Sequence, residues 1–531
     1  MDRTFCNLGR DGLTHTDIDA IAHGEPLHLD EAVNGRVVAS HERLQRYVTE
    51  QRRIYGVTTG YGPLADTLVG HAHSEQLQRN LIAHLSAGVG EPLSRTQTRA
   101  TMAARVAALA QGNSGVSPAA LGLLVDCLNA DALPVVPSMG TVGASGDLTP
   151  LAHIAGALMG HGRMRVQGGD PEPAGAALER LGLTPFNPEG KDAIALVNGT
   201  SAMTGIAALN GAACERALRW SSLLTAGHAD VLGGRLEAWD PAFGALRPHN
   251  GQQRLHRWLR FLTRGSGWVT APEHGETVAG NALERLDQPI QDPYTLRCAP
   301  QLLGAVSDQL AWHNSVVDTE LNSVTDNPVL PDDADVALHG GNFYGQHVAL
   351  ASDALANAVI TLAVHAERRI ARLANVRLNH GLPAFLQARE TGLHSGFMGA
   401  QVTASALLAE MRTHATPASI QSIPTNGDNQ DVVTMGTIGA RRCARLLDLL
   451  HHLLAIDALM VAQAVDLRWQ MDQTATTTPS DAVQALHRWV RRIAPPLDAD
   501  RALHDEIEMV AVRVALPGGL VEQLDAFAGP D

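Results

Sequence analysis

The chain has 531 residues, of which 45% are hydrophobic and only 4% aromatic, so we expect a large core of Ala, Leu and Val in closely packed helices. Its formal charge of −15 argues against nucleic acid or an anionic membrane as a partner. The five scattered cysteines argue against structural zinc and a disulfide framework. With no apolar leader at the start and no run of about 20 apolar residues, the sequence predicts a soluble cytoplasmic protein.

The first 130 residues read as short elements and helices around one glycine-rich loop at residues 55–66. The loop contains Gly60-x-Gly62-x-x-Ala65, which is formally close to a dinucleotide fingerprint. That signal is weak, because Pro63 follows the second glycine and no βαβ unit surrounds it. Helices are predicted near residues 40–53 and at 77–85, 95–111 and 118–129, the last with Ser117 as its N-cap.

The centre of the chain is Gly140-Thr-Val-Gly-Ala-Ser-Gly-Asp-Leu-Thr-Pro-Leu-Ala-His153, where small residues allow a tight backbone turn. If the amide nitrogen of Gly146 attacks the carbonyl carbon of Ala144, a five-membered ring closes. Two waters are then lost, one of which carries the Ser145 hydroxyl, and an exocyclic methylene remains. Other readings of Ser145 fail. A hydrolase nucleophile elbow needs Gly two residues later, where Asp147 stands, and a phosphate-binding loop needs Gly-Lys-Ser/Thr.

The rest of the chain predicts an all-α fold, an elongated bundle of long helices with a loop-rich N-terminal part. Residues 160–190 are predicted to form a surface excursion with a short hairpin. Long helices are predicted at 202–226, 303–323, 348–373, 399–414 and 435–468, and shorter ones at 482–493 and 502–514. We expect an N-terminal domain at 1–200 that carries the Ala-Ser-Gly loop, and a helix bundle with a helical tail at 201–531. Lys191 is the only lysine, so it alone could serve a pyridoxal phosphate enzyme.

Several segments, in the right order over about residues 50–470, resemble the aromatic amino acid ammonia-lyases. This is the family of histidine, phenylalanine and tyrosine ammonia-lyases and their aminomutase relatives. The matching segments are the Ala-Ser-Gly loop, the glycine-rich loop (with Tyr61 where Phe is usual), Leu196-Val-Asn-Gly-Thr200, Gln291-Asp-Pro-Tyr-Thr-Leu-Arg-Cys-Ala-Pro-Gln301, and residues 320–328 and 339–347. In that family Ala-Ser-Gly cyclises unaided into the electrophile 4-methylidene-imidazol-5-one (MIO).

The resemblance implies a catalytic set and a ring of substrate-binding residues. Ala144, Ser145 and Gly146 would form the MIO, Tyr55 would be the base, and Arg297 would clamp the substrate carboxylate. Asn198 would sit beside the MIO, and Tyr294 would hydrogen-bond at the MIO or the amine. The residues expected around the substrate are Gly62, His84, Leu85, Leu148, Asn327, Phe343, Asn426 and Gln430.

Two positions bear on the substrate. Histidine-specific members carry Glu where Gln430 stands, whereas phenylalanine and tyrosine enzymes carry Gln. Tyrosine-preferring members have His-Leu at positions 84–85, phenylalanine-preferring ones Phe-Leu, and histidine ones Ser-His. His84-Leu85 therefore predicts tyrosine, with His84 hydrogen-bonded to the para-hydroxyl.

The sequence as a whole predicts an MIO-dependent tyrosine ammonia-lyase that makes trans-p-coumarate, without an external cofactor or a metal. The resemblance also implies a homotetramer whose active sites are shared between subunits. The alternatives are a phenylalanine or histidine ammonia-lyase, a tyrosine 2,3-aminomutase with the same catalytic residues, and an inactive helical scaffold.

Overall fold

The computed structural model of the protein describes residues 6–9, 11–271, 289–471 and 476–528. Within these ranges the fold is all-α with a few short strands, as predicted. The helices up to the long α9 are α1 His15–Ala22, α2 Glu31–Thr49, α3 Ser74–Leu85, α4 Arg95–Leu109, α5 Pro118–Asn129, α6 Leu148–Leu158, α7 Ala174–Arg180, α8 Asp192–Val197 and α9 Ser201–Leu232. They continue as α10 Pro241–Leu246, α11 Asn250–Leu262, α12 Tyr294–Arg297, α13 Ala299–Leu321, α14 Gln346–Ala374, α15 Met398–Thr413, α16 Gly436–Met471, α17 Asp481–Arg491, α18 His504–Ala515 and α19 Leu520–Ala528.

The strands form small sheets at the edges of the first helices. They are β1 Cys6–Leu8, β2 Leu27–Leu29, β3 Val89–Pro92, β4 Ala132–Pro134, β5 Pro137–Met139, β6 Arg163–Val166 and β7 Glu172–Pro173. Strand β1 pairs in parallel with β2, with Cys6 opposite Leu27. Strand β3 pairs antiparallel with β5, and β6 pairs antiparallel with both β4 and β7. The predicted hairpin in the surface excursion is therefore present as β6 and β7.

Helix boundaries follow local sequence signals where caps are clear. Ser117 caps α5 by accepting a hydrogen bond from the Ala120 amide, and Pro118 occupies the first turn, so α5 has the predicted bounds. The prediction for α2 was wrong at its start, because the helix begins at Glu31 rather than near residue 40. Its buried stripe runs from Val33 to Tyr47, so tertiary packing overrides the helix-breaking tendency of Gly35.

The chain divides into two compact units that are not two simple halves of the sequence. The first unit comprises Met1–Ala212, Trp312–Ala354 and Pro417–Ala444, and the second comprises Ala213–Ala311, Leu355–Thr416 and Arg445–Asp531. Four of the five dividing points lie within the long helices α9, α13, α14 and α16, so each of these helices carries residues of both units; the fifth lies in the loop between α15 and α16. The predicted domain boundary after residue 200 stays a prediction.

In the first unit, α4, α5, α6 and α8 pack into one apolar core with α1 and α3. Ala103, Leu124, Leu151 and Ala195 are fully or almost fully buried there. This core supports the loops between β5 and α6 and between α2 and α3, which are the two loops that the sequence singled out.

Among the helices that the structure describes, two are long and apolar enough to cross a membrane by length and composition alone, namely α14 and α16. In their most apolar windows, 61% and 89% of the residues are buried inside the structure. Burial of this kind is also what the core helices of a water-soluble protein show. The expectation of no membrane span stays a prediction.

Candidate active site

The Ala144-Ser145-Gly146 loop joins β5 to α6 and turns sharply. Both Ser145 (φ 55°) and Gly146 (φ 80°) have left-handed backbone conformations. Gly146 lies against Gly199 in an isolated parallel bridge, and a Cβ at Gly146 would collide with the Gly199 carbonyl. Only glycine fits such a close approach of two backbones, so the tight turn predicted from the small residues is present.

Hydrogen bonds hold this loop on both sides. The Thr141 hydroxyl accepts from the Gly143 amide at 3.1 Å and donates to the Gly146 carbonyl at 3.1 Å. The Asp147 amide donates to the Gly199 carbonyl at 2.7 Å. The loop that carries Ser145 is therefore held in place by hydrogen bonds on both sides.

The Asp147 carboxylate anchors the loop beneath Ser145. It is fully buried, accepts a hydrogen bond from the Met203 amide at 2.7 Å, and takes another from the Thr437 hydroxyl. Burial raises its pKa to about 6, while these two hydrogen bonds act in the opposite direction. Met203 and Thr437 lie in the first turns of α9 and α16, where helix dipoles favour a negative charge. Sequence reasoning gave Asp147 no role, although a carboxylate directly before a helix was a usable signal.

Gln430 approaches Ser145 from a second loop. Its side-chain amide nitrogen donates to the Ser145 hydroxyl at 3.3 Å, and its amide oxygen accepts from the Thr425 hydroxyl at 2.8 Å. Because Thr425 occupies the oxygen, the NH₂ group is the end that faces Ser145. Asn426 lies in the turn between Thr425 and Gln430, with φ 51°.

Tyr55 is held with its hydroxyl at a backbone donor. The Gly62 amide donates to that hydroxyl oxygen at 2.8 Å, and the Tyr55 amide donates to Nε2 of His339 at 3.1 Å. The ring meets that of Tyr61 edge to face, with centroids 6.3 Å apart. An N–H donor binds a phenolate oxygen more strongly than a phenol oxygen, so this arrangement suits a proton acceptor.

The neighbouring Tyr61 has a different environment. Burial raises its pKa above the ordinary value, and its hydroxyl accepts from the Gln78 side chain at 3.0 Å. Gln78 is fully buried; its NH₂ group also donates to the Gly56 carbonyl at 2.8 Å, and its oxygen accepts from the Ala193 amide at 3.1 Å. Gln78 was not predicted, although an amide between the apolar residues of α3 was a visible anomaly.

Asn198 follows α8 and lies between the cavity and a buried loop. Its side chain donates to the Asn327 carbonyl at 3.0 Å, and its own carbonyl accepts from Nη1 of Arg105 at 2.9 Å. Asn327 in turn accepts from the Gly340 amide at 2.7 Å through its side-chain oxygen. Asn327, predicted to line the site, is thus placed one layer behind Asn198.

A buried ion pair lies in the same layer. The Lys191 ammonium is 2.6 Å from the Asp326 carboxylate, and both side chains are fully buried. Burial lowers the pKa of Lys191, and Asp326 acts against that shift. A lysine engaged in this way is not accessible to an aldehyde cofactor, which excludes the pyridoxal phosphate role considered from the sequence.

Tyr55, Ser145, Asn198 and Gln430 line one cavity of about 350 Å³, a volume that suits a small molecule. Among the described residues, all that line it belong to the first unit. The predicted site residues in its wall are Tyr55, Gly62, His84, Leu85, Ser145, Leu148, Asn198, Asn426 and Gln430. Further wall residues, not predicted, are Gly60, Tyr61, Pro63, Leu64, Leu77, Asn80, Leu81, Ile194 and Val197. Ala144 and Gly146 flank Ser145 in its loop.

His84 lies near the end of α3, at an exposed part of the wall. Its Nδ1 is 2.9 Å from the Asn80 carbonyl, which can only accept, so Nδ1 carries the proton. In the neutral ring Nε2 is then a free acceptor. Leu85 follows it with apolar surface.

Three other predicted residues lie outside this wall. Phe343 is half-buried in the first unit. Tyr294 and Arg297 belong to the second unit, on α12. Tyr294 is 71% exposed, the Arg297 guanidinium lies 4.7 Å above its ring, and Arg297 donates to the Gln291 side chain.

In the described ranges, no group of three His, Cys, Asp or Glu residues is placed to hold a metal ion.

Residues 13–492 match the family model described as aromatic amino acid lyase. The chain is 49% identical to a tyrosine ammonia-lyase of Cereibacter sphaeroides, over 94% of this chain and 96% of that protein. It is 41% identical to a histidine ammonia-lyase of Symbiobacterium thermophilum, over 98% of each. The solved tyrosine aminomutase of Streptomyces globisporus superposes with a TM-score of 0.92 at 36% identity, covering 99% of both chains.

Proposed function

The chain belongs to the aromatic amino acid lyase family, and from this premise we propose that it eliminates ammonia from L-tyrosine to give trans-p-coumarate. The observation that carries the proposal is the cavity that gathers Tyr55, Ser145, Asn198 and Gln430. The difficulty of the reaction defines what these residues must do. The proton at Cβ is barely acidic and an amine is a poor leaving group, so a base and an electrophile are both needed.

The residues of the 144–146 loop fit an MIO group formed from the chain itself. Ring closure needs the Gly146 nitrogen to approach the Ala144 carbonyl, which demands a sharply turned backbone, and the left-handed Ser145 and Gly146 supply one. The missing Cβ at Gly146 is a requirement of the fold, because Gly199 occupies that space. When formed, the MIO supplies an electrophile for the substrate amine.

Tyr55 acts as the base that removes the β-proton. Tyr55 lines the cavity, and its hydroxyl oxygen accepts a hydrogen bond from the Gly62 amide, which stabilises negative charge on that oxygen. Tyr61, half-buried and hydrogen-bonded by Gln78, stays a neutral phenol and fixes the ring of Tyr55 by edge contact. One tyrosine of the pair is therefore reactive and the other structural.

The substrate carboxylate is bound by Arg297, whose planar guanidinium matches a carboxylate in a two-point contact. Tyr294, three residues earlier, hydrogen-bonds near the amine. Asn198 and Gln430 contribute amide groups beside Ser145, and Leu148 contributes apolar surface to the wall. Phe343, Asn327 and Asn426 complete the site in this proposal.

Tyrosine is favoured as the substrate because the acceptor Nε2 of His84 suits a para-hydroxyl donor. Gln430 in place of a carboxylate disfavours a cationic imidazole substrate. The similarity to a tyrosine ammonia-lyase at 49% identity agrees with this choice. The alternatives are a phenylalanine or histidine ammonia-lyase and a tyrosine 2,3-aminomutase, which would use the same residues. An inactive scaffold is disfavoured, because the complete cavity set is retained.

We further propose a cytoplasmic homotetramer with shared sites. Tyr294 is 71% exposed, and neither Tyr294 nor Arg297 is among the described residues that line the cavity, so in this proposal both serve a site on another subunit. A mixture of Tyr55→Phe and Ser145→Ala chains, dissociated and reassembled, should recover part of the activity lost in each. Demonstrably mixed tetramers without recovery would contradict sharing.

The decisive experiment incubates the purified protein with L-tyrosine and follows the absorbance of p-coumarate, with product analysis by chromatography. We expect coumarate and ammonia in equal amounts. Accumulation of β-tyrosine instead would identify the protein as an aminomutase. Turnover of only L-histidine or only L-phenylalanine would identify that amino acid as the substrate in place of L-tyrosine. The Tyr55→Phe protein serves as the inactive control.

A further inference from the structure

A fully buried charged network crosses the second unit between α9, α14 and α16. The Asp457 carboxylate accepts from Nε and Nη2 of Arg369 at 3.0 and 2.7 Å, and it lies 2.6 Å from Nε2 of His228. These three side chains are at most 1% exposed. Nη1 of Arg369 contacts the Thr225 hydroxyl at 2.9 Å and Nδ1 of His365 at 2.9 Å.

The contact between Arg369 and His365 fixes where the His365 proton resides. A guanidinium has donors and no acceptor, so Nδ1 of His365 must be the acceptor and carries no proton. The proton is then on Nε2, which lies 2.8 Å from the Thr295 carbonyl and donates to it. Burial and the Arg369 charge lower the pKa of His365 to about 3, so the ring stays neutral at ordinary pH.

The receiving carbonyl belongs to α12, the four-residue turn that carries Tyr294 and Arg297. The next carbonyl of the turn, that of Leu296, accepts from Nε1 of the buried Trp239 at 2.9 Å. Two consecutive carbonyls are therefore held from the inside, while Tyr294 is largely exposed. The turn closes through its own backbone, because the Leu296 and Arg297 amides donate to the Pro293 carbonyl and the Cys298 amide donates to the Tyr294 carbonyl. The His365 and Trp239 side chains bind the next two carbonyls and thereby attach this closed turn to the rest of the unit.

We propose that His365 is a positioning residue for substrate-carboxylate binding: with its tautomer set by Arg369, it holds α12 so that Arg297 is aimed correctly. Trp239 assists through the adjacent carbonyl. The inference rests on the proposed function, in which Arg297 binds the carboxylate. The substrate itself does not touch His365, because its two nitrogens are engaged inside the unit.

The test compares His365→Leu with His365→Gln in the full-length, MIO-containing protein. A glutamine can accept from Arg369 with its oxygen and donate to Thr295 with its NH₂ group, whereas leucine can do neither. We expect His365→Leu to raise the Kd of p-coumarate and the KM of L-tyrosine roughly ten-fold, the scale of one lost buried hydrogen bond, with kcat changed less. His365→Gln should recover most of the loss.

The matched control is His451→Leu, the same substitution at another buried histidine of the second unit, on α16. We expect it to leave the Kd of p-coumarate within two-fold. An equal loss in His451→Leu, or no recovery in His365→Gln, would overturn the positioning role. If His365→Leu does not assemble, Trp239→Phe deletes a single N–H from the same turn and should raise the Kd several-fold; an unchanged Kd there overturns the inference.

A double-mutant cycle with Arg297→Lys separates this inference from the proposed function. If both residues act through one contact, His365→Leu should weaken p-coumarate binding less than two-fold once Arg297 has been replaced. Additive losses would overturn the positioning role while leaving Arg297 as the carboxylate ligand. An Arg297→Lys protein with unchanged Kd would instead remove the carboxylate role from Arg297, and the inference with it.

Discussion

Each compact unit contains a fully buried arginine, Arg105 in the first and Arg369 in the second, but the two guanidinium groups differ in how many of their nitrogens have hydrogen-bond partners. In the second unit all three nitrogens of Arg369 have acceptors. In the first unit Arg105 donates through Nη1 to the Asn198 carbonyl, while its Nε and Nη2 have no partner among the described residues. The side-chain oxygen of Asn198 is unpartnered as well.

This difference distinguishes a fully satisfied network, which holds the α12 turn through His365, from a network that leaves polar atoms unpaired beside the cavity. A buried donor without a partner costs about 1–3 kcal/mol, and such costs are expected where function needs them. Arg105 lies directly behind Asn198, which lines the cavity, and burial lowers the pKa of Arg105 to about 10. We therefore expect changes at the first unit's site to act mainly on activity, and the loss of Arg369 from the second unit to act mainly on stability.

The largest effect should come from the cavity itself. Ser145→Ala should fold normally and lose nearly all activity, because no exocyclic methylene can form. The intact mass of the wild type should be lower than that of its translated sequence by two waters, and the variant should lack that deficit. Ser86→Ala, which removes a hydroxyl bonded only to its own helix, is the matched control. An unmodified mass in active wild type would rule out the MIO.

Removing Arg369 tests the scaffold side of the comparison. Arg369→Met leaves Asp457 buried without its main partner, so the free energy of unfolding should fall by about 3–5 kcal/mol. The matched variant Arg105→Met breaks no close ion pair and should cost less, about 1–3 kcal/mol, yet lower kcat. Urea unfolding midpoints and steady-state kinetics of both variants test this expectation. A larger stability loss in Arg105→Met than in Arg369→Met would contradict it.

Acid should destabilise the second unit through its buried neutral histidines. Burial lowers the pKa of His451 to about 3, far below an unfolded value near 6.5. Below about pH 6.5 the unfolded chain therefore binds a proton that the folded chain excludes, so stability falls as the pH falls towards 4. Between pH 7 and 4.5, the free energy of unfolding of wild type should therefore fall by about 2–3 kcal/mol more than that of His451→Leu.

Urea midpoints measured across this pH range check that expectation. The exposed His71, on the surface of the first unit, provides the control variant His71→Leu, whose pH dependence should follow the wild type. A wild-type slope retained in His451→Leu would show that another group causes the acid loss.

The smallest effect concerns the choice of substrate at the cavity wall. A site that hydrogen-bonds a hydroxyl rejects the analogue without it, because its own acceptor is left unpaired. His84→Phe should therefore shift the kcat/KM ratio of L-tyrosine to L-phenylalanine by roughly ten- to hundred-fold towards phenylalanine, equivalent to about 1–3 kcal/mol. An unchanged ratio would make His84 a packing residue and leave only an aromatic amino acid as the assigned substrate.

The sequence predicted what depends on local pattern or on a rare motif. The bounds of α5 followed from Ser117 and Pro118, and the tight turn at Gly146 followed from its small neighbours. The family resemblance is confirmed, and it named nine of the residues that line the cavity. The catalytic roles of Tyr55, Arg297 and the others remain predictions.

What the sequence did not reveal depends on contacts between distant segments. Lys191 and Asp326 are 135 positions apart, and nothing local marks them as partners. Gln78 and Asp147 acquire their roles only when α8, α9 and α16 are packed around them. Hydrophobic periodicity predicts which face of a helix is buried, but it does not predict which polar group of a neighbouring segment contacts that face.

The buried lysine also makes this protein unusual towards amine-directed chemistry. Since Lys191 is the only lysine of the sequence and is fully enclosed with Asp326, an acylating dye should leave it unlabelled while the fold is intact. The dye would reach Lys191 only when the layer beneath Asn198 opens, so the rate of lysine labelling would time the opening of that part of the fold.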